Sequence, residues 1–364
     1  MDLNHIIAWG IFLAFVLVML AIDLLVLHRK PRPIHFGEAL LGSLIPVSAA
    51  LLFMGVLYYA YEHHVLNLGF LPAGIDPGDH LARMYAANGR EAALLFLTGY
   101  LVELSLSADN VFLFVVLMAF FRVPRPLQHR VLFWGVLGAL AMRGIMILAA
   151  AELSQFEWML GVFGAFLILM GFKMLFSRGE PKDPSDNIAV RLLRRIVPFQ
   201  DGFEGQSFFT RAGGRRVATT LFLVLVCIEF TDLVFALDSI PAVFGITLDP
   251  FLVFTSNVFA ILGLRSMYFL LAGVMDRFHL LKYGLALVLG FVGVKMVLPG
   301  ASDVVDYFTG RHFTWEIDKY VSLAVIVACL GGSVAASLLV PPGKRHHNPL
   351  EEDHPVKKLA ATGL

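Results

Sequence analysis

Two short stretches of the sequence carry carboxylates and a small polar side chain inside strongly apolar runs. Each has two acids six residues apart, followed at once by an amide or a hydroxyl: Glu103, Asp109 and Asn110 in the first, and Asp232, Asp238 and Ser239 in the second. An ionised side chain at the centre of a bilayer costs about 3 kcal/mol on insertion scales, so it needs a partner or a function. Two such stretches in one chain indicate a single site built from both.

The acids outnumber the basic residues that could neutralise them. Glu229 adds a fifth carboxylate, one helical turn before Asp232, whereas Arg143 and Arg265 are the two arginines near the middle of apolar runs. An uncompensated negative surplus in hydrocarbon is prohibitive. Bound cations, protons or both must therefore make up the difference.

The types of donor atom then select the ion. Carboxylate, amide and hydroxyl oxygens are hard ligands that suit Mg²⁺, Ca²⁺ or Mn²⁺, and the absence of histidine and cysteine from both stretches disfavours Zn²⁺ and Cu⁺. Asn257 is a further candidate oxygen donor, although its counterpart Gly135 is not polar. The structural alternative is that the acids only pair with Arg143 and Arg265 and hold helices together. For these two arginines, ion-pair support is the expected role.

The composition places the acidic stretches in a polytopic membrane protein. Of 364 residues, 58% are hydrophobic and 15% are charged, with a mean hydropathy of +0.76, whereas about a quarter of a soluble domain is charged. A transmembrane helix needs about 20 apolar residues. This predicts an all-α fold with about nine transmembrane helices, at residues 6–27, 39–60, 92–121, 130–151, 157–176, 217–246, 251–274, 280–298 and 319–340.

Basic residues alternate along the connecting loops and predict the orientation. The segments after the first, third, fifth, seventh and ninth spans are rich in lysine and arginine, and the alternate loops are poor in them. Because positive charge prefers the cytoplasm, we expect the N-terminus outside and the C-terminus inside. The long cytoplasmic loop is expected to contain a basic amphipathic helix, near residues 186–197, on the membrane surface.

The two acidic stretches belong to an internal repeat. They lie 129 residues apart, and the pairs Arg143/Arg265 and Lys173/Lys295 each lie 122 residues apart. Three spans per unit is an odd number, which reverses the second unit in the membrane and predicts an inverted repeat with a substrate site near the midplane. The segments are two N-terminal spans with an external loop (1–91), the first repeat (92–177), the cytoplasmic loop (178–216), the second repeat (217–298), an external loop with the last span (299–340) and a cytoplasmic tail (341–364).

The spacing of the acids also predicts a distorted helix. On an ideal helix Glu103 and Asn110 share a face, whereas Asp109 lies about 120° away from Glu103. Both acids of a stretch can meet one ion only if the helix is distorted. Pro241, three residues after Asp238, removes a backbone N–H and predicts a break in the second acidic helix.

These motifs resemble the TerC/Alx family of bacterial integral membrane proteins. The resemblance runs from about residue 1 to 340 and is carried by the segments Glu103–Phe112, Glu229–Ala242 and Thr255–Phe269. The nine-span length and the long basic loop are most similar to the Alx branch. The resemblance implies an exporter of Mn²⁺ in the inner membrane, related to the LysE transporter superfamily, with the acids as metal ligands. Family members have also been linked to tellurium resistance and redox modulation, but the two cysteines, Cys227 and Cys329, form no Cys-x-x-Cys pair.

The residues and the resemblance together predict secondary transport of Mn²⁺ from the cytoplasm to the periplasm, with protons as a candidate counter-ion. The expected metal-binding residues are Glu103, Asp109, Asn110, Glu229, Asp232, Asp238 and Ser239, with Arg143 and Arg265 as ion-pair support. We expect neither catalytic residues nor a cofactor, because the spans lack an ATP-binding loop, a HExxH motif and a Ser/His arrangement. The expected partners are Mn²⁺ and membrane lipid, without nucleic acid. Two alternatives stay open: a static membrane protein for assembly, sensing or redox modulation, and an oxyanion transporter that uses the arginines.

Overall fold

The computed structural model describes most of the apolar part of the chain. The described residues are 3–22, 36–72, 75–76, 81–154, 156–176, 198, 202–212, 215–271, 280–309 and 317–340. Within helices, the side chains of some positions lie outside the described set, and these include Asp109 and Arg265. The predicted amphipathic helix near 186–197 and the predicted tail also lie outside the described residues.

The described residues form nine long helices and one two-stranded hairpin. In chain order these are α1 (Leu3–Ile22), α2 (Phe36–Glu62), α3 (Gly89–Phe120), α4 (Arg125–Leu153), α5 (Glu157–Phe176), β1 (Phe209–Ala212), β2 (Arg215–Ala218), α6 (Thr220–Phe244), α7 (Pro250–Leu271), α8 (Leu281–Thr309) and α9 (Lys319–Leu339). Short 3₁₀ turns occur at Val65–Asn67 and Ala82–Met84.

Seven of these helices are long and apolar enough to cross a membrane: α1, α2, α4, α5, α6, α8 and α9. Helix α7 contributes a shorter apolar stretch, Pro250–Leu264. The polytopic all-α architecture is therefore confirmed. The count of nine spans and the inverted repeat stay predictions.

Two element boundaries differ from the sequence predictions. Helix α8 continues through Pro299 to Thr309, so the segment with Asp303 and Asp306, predicted as a loop, is helical. Hydropathy marks the part of a helix that is apolar, whereas backbone hydrogen bonding can continue into polar sequence. The hairpin at residues 209–218 was not predicted either, because its strands are four residues long and carry arginines rather than an apolar pattern.

The predicted break at Pro241 is wrong. Helix α6 is continuous from Thr220 to Phe244, with Pro241 in its last turn, where the Gly245 N–H donates to the Pro241 carbonyl oxygen at 2.9 Å. A proline so close to a helix end removes one backbone hydrogen bond without interrupting the turns before it. Asp232 and Asp238 therefore lie on one regular helix.

Local signals fix the ends of α3, the helix of the first acidic stretch. The Asn88 side chain accepts a hydrogen bond from the backbone N–H of Glu91 at 3.0 Å, which is a favourable N-cap. At the other end, Arg122 has a left-handed φ of 50°, and the Val123 N–H donates to the Met118 carbonyl oxygen at 2.9 Å. This is the geometry of a Schellman motif, which ends the helix and turns the chain into α4.

The helices pack in a pattern that surrounds the acidic stretches. Helix α3 packs on α7, α4 packs on α6, and α5 packs on α8, while α2 packs on α3 and α7. An aromatic cluster joins α1, α2 and α7: the Phe12 and Phe53 rings are 5.2 Å apart, and the Phe53 and Phe259 rings are 5.0 Å apart. The polar residues of α3, α6 and α7 are thereby enclosed inside the bundle.

Glycines bring the backbones of α5 and α8 into close contact. A Cβ atom on Gly164 would lie 2.7 Å from the carbonyl oxygen of Gly293, and a Cβ on Gly171 would lie 2.8 Å from the carbonyl oxygen of Ala286. Because real Cβ atoms are not found this close to backbone oxygens, the two helices require glycine at these positions. Small residues of this kind are typical of close helix packing in membranes.

Replacing Gly164 by alanine should therefore destabilise the protein by about 1–3 kcal/mol, the usual cost of overpacking. The matched control is Gly161→Ala on the same helix, where a Cβ would meet nothing within 4 Å. This control should be neutral or stabilising, because glycine inside a helix is less favourable than alanine. Thermal unfolding of the purified protein in detergent compares the two, and equal unfolding temperatures would contradict the packing argument.

Candidate metal-binding site

Arg143 is a fully buried arginine that joins three other helices, with only 1% of its surface exposed. Its guanidinium forms an ion pair with Glu103 on α3. Nε and Nη2 donate to the two carboxylate oxygens of Asp232 on α6, at 3.2 and 2.9 Å. Nη1 also donates to Oδ1 of Asn257 on α7, at 3.2 Å. We call these four residues the arginine cluster.

The arginine cluster brings together the first acid of each acidic stretch. Glu103 and Asp232 are 129 residues apart in sequence, yet both carboxylates contact one guanidinium. Both are buried, with 0% and 1% of their surface exposed. One positive charge therefore serves two buried negative charges. Asn257, which sequence reasoning proposed only as a further donor, completes the set.

Several buried polar atoms around the cluster have no hydrogen-bond partner among the described residues. They lie on α3, α6 and α7 and comprise Glu103 Oε2, Ser107 Oγ, Asn110 Nδ2, Glu229 Oε2, Ser239 Oγ and Asn257 Nδ2. A buried polar group without a partner costs about 1–3 kcal/mol, so native structures rarely keep them without a reason. Five of the six belong to the acidic stretches or to residues considered with them, and only Ser107 was missed.

Glu229 lies against a glycine of α4. The residue is half-buried, and a Cβ atom on Gly138 would overlap its carboxylate. Gly138 thus leaves the space that the Glu229 side chain occupies. The counterpart of Glu229 in the first repeat unit is Tyr100, which is buried and stacks on Phe96.

Asp238 lies at the edge of the buried face of α6. It is half-buried, between the exposed Leu237 and the buried Ser239, and no hydrogen bond or ion pair to it occurs among the described residues. The positive charge that acts on it is Lys173, near the end of α5. Asp238 is therefore separate from the arginine cluster.

The seven predicted ligands do not converge into one site in this structure. Among the described residues, no group of three or more His, Cys, Asp or Glu side chains could hold a metal ion. The Asp109 and Arg265 side chains lie outside that set, so their contributions stay predictions. The described part of the site has four carboxylates and one buried guanidinium. For a cation to bind Glu103 and Asp232 together, Arg143 must release at least one of them.

A large cavity lies where the loops of one side of the bundle meet. Its volume is about 1170 Å³, and its lining includes Glu91, Gly245, Lys295 and Lys319. The Lys319 ammonium forms an ion pair with Glu91 at 2.8 Å. Burial acts to raise the pKa of Glu91, but hydrogen bonds from the Ala87 N–H and Lys319 lower it below its ordinary value. Sequence reasoning missed this cavity, because its lining comes from distant loops without a shared motif.

Comparison with known proteins identifies the family. The integral membrane protein TerC family matches residues 88–345 of the chain. The chain is 44% identical over 345 residues to the uncharacterized membrane protein STKORF319 of Myxococcus xanthus, with 94% of each chain covered. It is 44% identical over 324 residues to Alx of Escherichia coli strain K12, provisionally named a membrane-bound redox modulator, with 88% of this chain and 91% of that one covered.

A more distant relative, an uncharacterized membrane protein of Rickettsia bellii, is 34% identical over 333 residues, with 91% of this chain and 97% of that one covered. No solved structure matches the chain. The matched family region contains both acidic stretches and the whole arginine cluster. The chain therefore belongs to the TerC family of integral membrane proteins.

Proposed function

We propose that this protein is a secondary transporter that exports Mn²⁺ from the cytoplasm to the periplasm across a bacterial inner membrane. The observation that carries the proposal is the buried arginine cluster, in which one guanidinium serves two carboxylates beside polar atoms without partners. The available donors are carboxylate, amide and hydroxyl oxygens, which favour a hard divalent cation. Among such cations, Mn²⁺ is the one that the family resemblance implies. Transport needs neither a catalytic residue nor a cofactor.

Charge balance explains how such a site can bind and release an ion. Arg143 supplies the positive charge at Glu103 and Asp232 in the described state. A divalent cation that bound the same carboxylates would compete with the guanidinium and would bring the second positive charge that the cluster lacks. Protons could neutralise the same carboxylates on the return step. The partly buried Glu229 is the candidate proton carrier.

The packing of the helices supports an inverted repeat as the moving framework. Adding 122 to Gly164 and Gly171 gives 286 and 293, so the contacts Gly164–Gly293 and Gly171–Ala286 are converted into each other. The α3–α7 and α4–α6 contacts are exchanged in the same way. Such reciprocity is expected when two units are related by a pseudo-two-fold axis. Rocking of one unit against the other would then expose the site to each side in turn.

The large cavity provides an aqueous region on one side of the proposed pathway. Gly245 lines it and lies six residues after Ser239 on or just beyond α6, a distance of about 9 Å along a helix. The loops that form the cavity are the ones poor in basic residues, which the positive-inside rule assigns to the periplasm. We assign the cavity to the exit side, with the N-terminus periplasmic and the C-terminus cytoplasmic.

A static ion-pair core is the second candidate, because the arginine cluster itself favours it. Arg143 is buried, and its guanidinium already contacts three acceptors, which is also the arrangement of a structural strut. That same engagement argues against an oxyanion ligand for Arg143. The redox role in the name of Alx finds little support in the thiols, since Cys227 and Cys329 are free and lie on different helices.

Flux measurements on the purified protein test the proposal. The protein is reconstituted into vesicles that contain a Mn²⁺-sensitive dye, and uptake is compared with protein-free vesicles at several pH gradients. We expect saturable Mn²⁺ flux that depends on the proton gradient, with Ca²⁺ and Mg²⁺ as competitors and Zn²⁺ as a poor one. Vesicles that hold folded protein and show no flux above the protein-free level would favour the static core.

Replacing Gly138 by alanine tests the role of Glu229. The added Cβ should displace the Glu229 carboxylate, because that side chain is the flexible partner in the contact. We expect about a tenfold lower Mn²⁺ flux, equivalent to about 1.4 kcal/mol, with little change in unfolding temperature. Gly290→Ala is the control, since a Cβ there meets nothing within 4 Å. Equal flux in both variants would remove Glu229 from the pathway.

A further inference from the structure

The hairpin β1–β2 places two arginines directly opposite each other. In its antiparallel register Phe209 faces Ala218 and Arg211 faces Arg216. Because side chains alternate along a strand, Phe209, Arg211 and Arg216 share one face of the hairpin. All three are exposed to solvent. Like charges directly opposite each other destabilise a strand pair, so this face is built at a cost unless an anion neutralises it.

No described residue supplies that anion. Within the described part of the chain, neither Arg211 nor Arg216 has an acidic partner. The acid beside the hairpin is Glu204, and its carboxylate accepts a hydrogen bond from the Thr210 hydroxyl instead. Phe209, Thr210, Arg211 and Arg216 line a recess of about 490 Å³. The recess thus combines an aromatic ring with two adjacent guanidinium groups.

The hairpin lies at the end of a candidate membrane span. Strand β2 ends at Ala218, and the apolar span begins at Thr220. The Phe209 ring is 4.6 Å from the Phe222 ring in the first turn of that span, and the Thr219 hydroxyl donates to the Ser207 carbonyl oxygen at 2.9 Å. These contacts hold the hairpin at the level where the span leaves the membrane.

The neighbouring helix carries residues typical of the same level. On α4, the Arg130 guanidinium lies 5.1 Å from the centre of the Phe208 ring, and Trp134 is 44% exposed. Exposed tryptophan and basic residues are enriched where helices cross the lipid headgroups. Both helices therefore place the hairpin at the headgroup layer.

We propose that the Phe209/Arg211/Arg216 face binds the headgroup phosphate of an anionic phospholipid. Guanidinium groups bind phosphate oxygens in pairs, with both charge and matching geometry. A lipid, unlike a free anion, also offers an apolar region for Phe209, whose ring is 50% exposed. The site is independent of the proposed metal transport. Arg215 lies on the opposite face of the hairpin, together with the buried Val217, and is not part of it.

Lipid titration of the full-length protein tests this site. The purified protein in a neutral detergent is titrated with short-chain phosphatidylglycerol or phosphatidylcholine, and the unfolding temperature is followed. We expect phosphatidylglycerol to raise it and phosphatidylcholine to leave it unchanged. Arg216→Gln should weaken phosphatidylglycerol binding about tenfold, as loss of a bidentate phosphate contact predicts. Arg215→Gln removes the same charge from the adjacent residue and should bind as the wild type does.

Two outcomes would overturn the proposal. Equal weakening by Arg215→Gln and Arg216→Gln would mean diffuse attraction to a basic segment. Inorganic phosphate that raises the unfolding temperature as much as the lipid does, at the same concentration, would mean a site for free anions. Arg216→Lys keeps the charge and loses the paired geometry, so it provides a second reading if Arg216→Gln does not fold. Intermediate affinity is expected for it, and wild-type affinity would contradict phosphate pairing.

Discussion

Replacing Arg143 by glutamine should destabilise this protein by about 3–5 kcal/mol, the usual cost of breaking one side of a buried ion pair. The variant leaves the carboxylates of Glu103 and Asp232 buried without the guanidinium that contacts both. Thermal unfolding in detergent measures the change. Arg130→Gln is the control, because that arginine is only partly buried and its hydrogen bond to Gln206 is long, at 3.4 Å. The control should shift the unfolding temperature much less.

Two further measurements on Arg143→Gln separate transport from a static core. Adding Asp232→Asn removes one of the unpaired charges and should restore part of the lost stability, because the interaction energies of contacting residues are not additive. Adding Mn²⁺ should stabilise Arg143→Gln more than the wild type, since the guanidinium no longer competes for the carboxylates. A variant that is rescued by Asp232→Asn and ignores Mn²⁺ would indicate a structural strut. A variant as stable as the wild type would contradict the ion-pair description altogether.

The pairing of the acidic stretches could be predicted because the membrane limits what charged residues can do. Glu103 and Asp232 are separated by 129 residues, but both are acids in apolar runs, and few basic residues are available to them. The sequence therefore indicates that they share a site. It does not indicate that Arg143 serves both, because that depends on how α4 packs between α3, α6 and α7. Asn257 was weakly signalled for the same reason.

The errors came from patterns whose consequence depends on position. Pro241 would break a helix in its middle, but it lies three residues before the end of α6, where little helix remains to be interrupted. The basic segment before α6 was considered for amphipathic helices, and the hairpin Phe209–Ala218 lacks the apolar alternation that reveals a strand. Alternation fails there because the exposed face carries Arg211 and Arg216.

The regular geometry of α6 has a direct consequence for the second acid. Asp232 and Asp238 are six residues apart, which on an undistorted helix places them about 120° apart. The structure keeps that helix undistorted, and accordingly Asp232 joins the arginine cluster while Asp238 lies at the edge of the buried face. The two acids therefore have different work to do. A carboxylate outside the ion pair is free to contact an ion that approaches or leaves the cluster.

Asp238 is consequently the acid whose neutralisation separates transport from folding. Asp238→Asn keeps the size of the side chain, leaves the Arg143 ion pairs intact and removes one charge from the proposed pathway. We expect Mn²⁺ flux to fall at least about tenfold, a loss of about 1.4 kcal/mol or more, while the unfolding temperature stays near that of the wild type. Cells that depend on this protein should then accumulate manganese and become sensitive to it.

Glu204→Gln is the matched control for this variant, because it removes one carboxylate of similar size from an exposed loop and should leave flux unchanged. Normal flux and normal cellular manganese in Asp238→Asn would take this acid out of the pathway. Loss of flux together with a large loss of stability would instead assign Asp238 to folding. Only selective loss of flux fits an ion that passes along α6, because a carboxylate without a partner in the described residues has little else to stabilise.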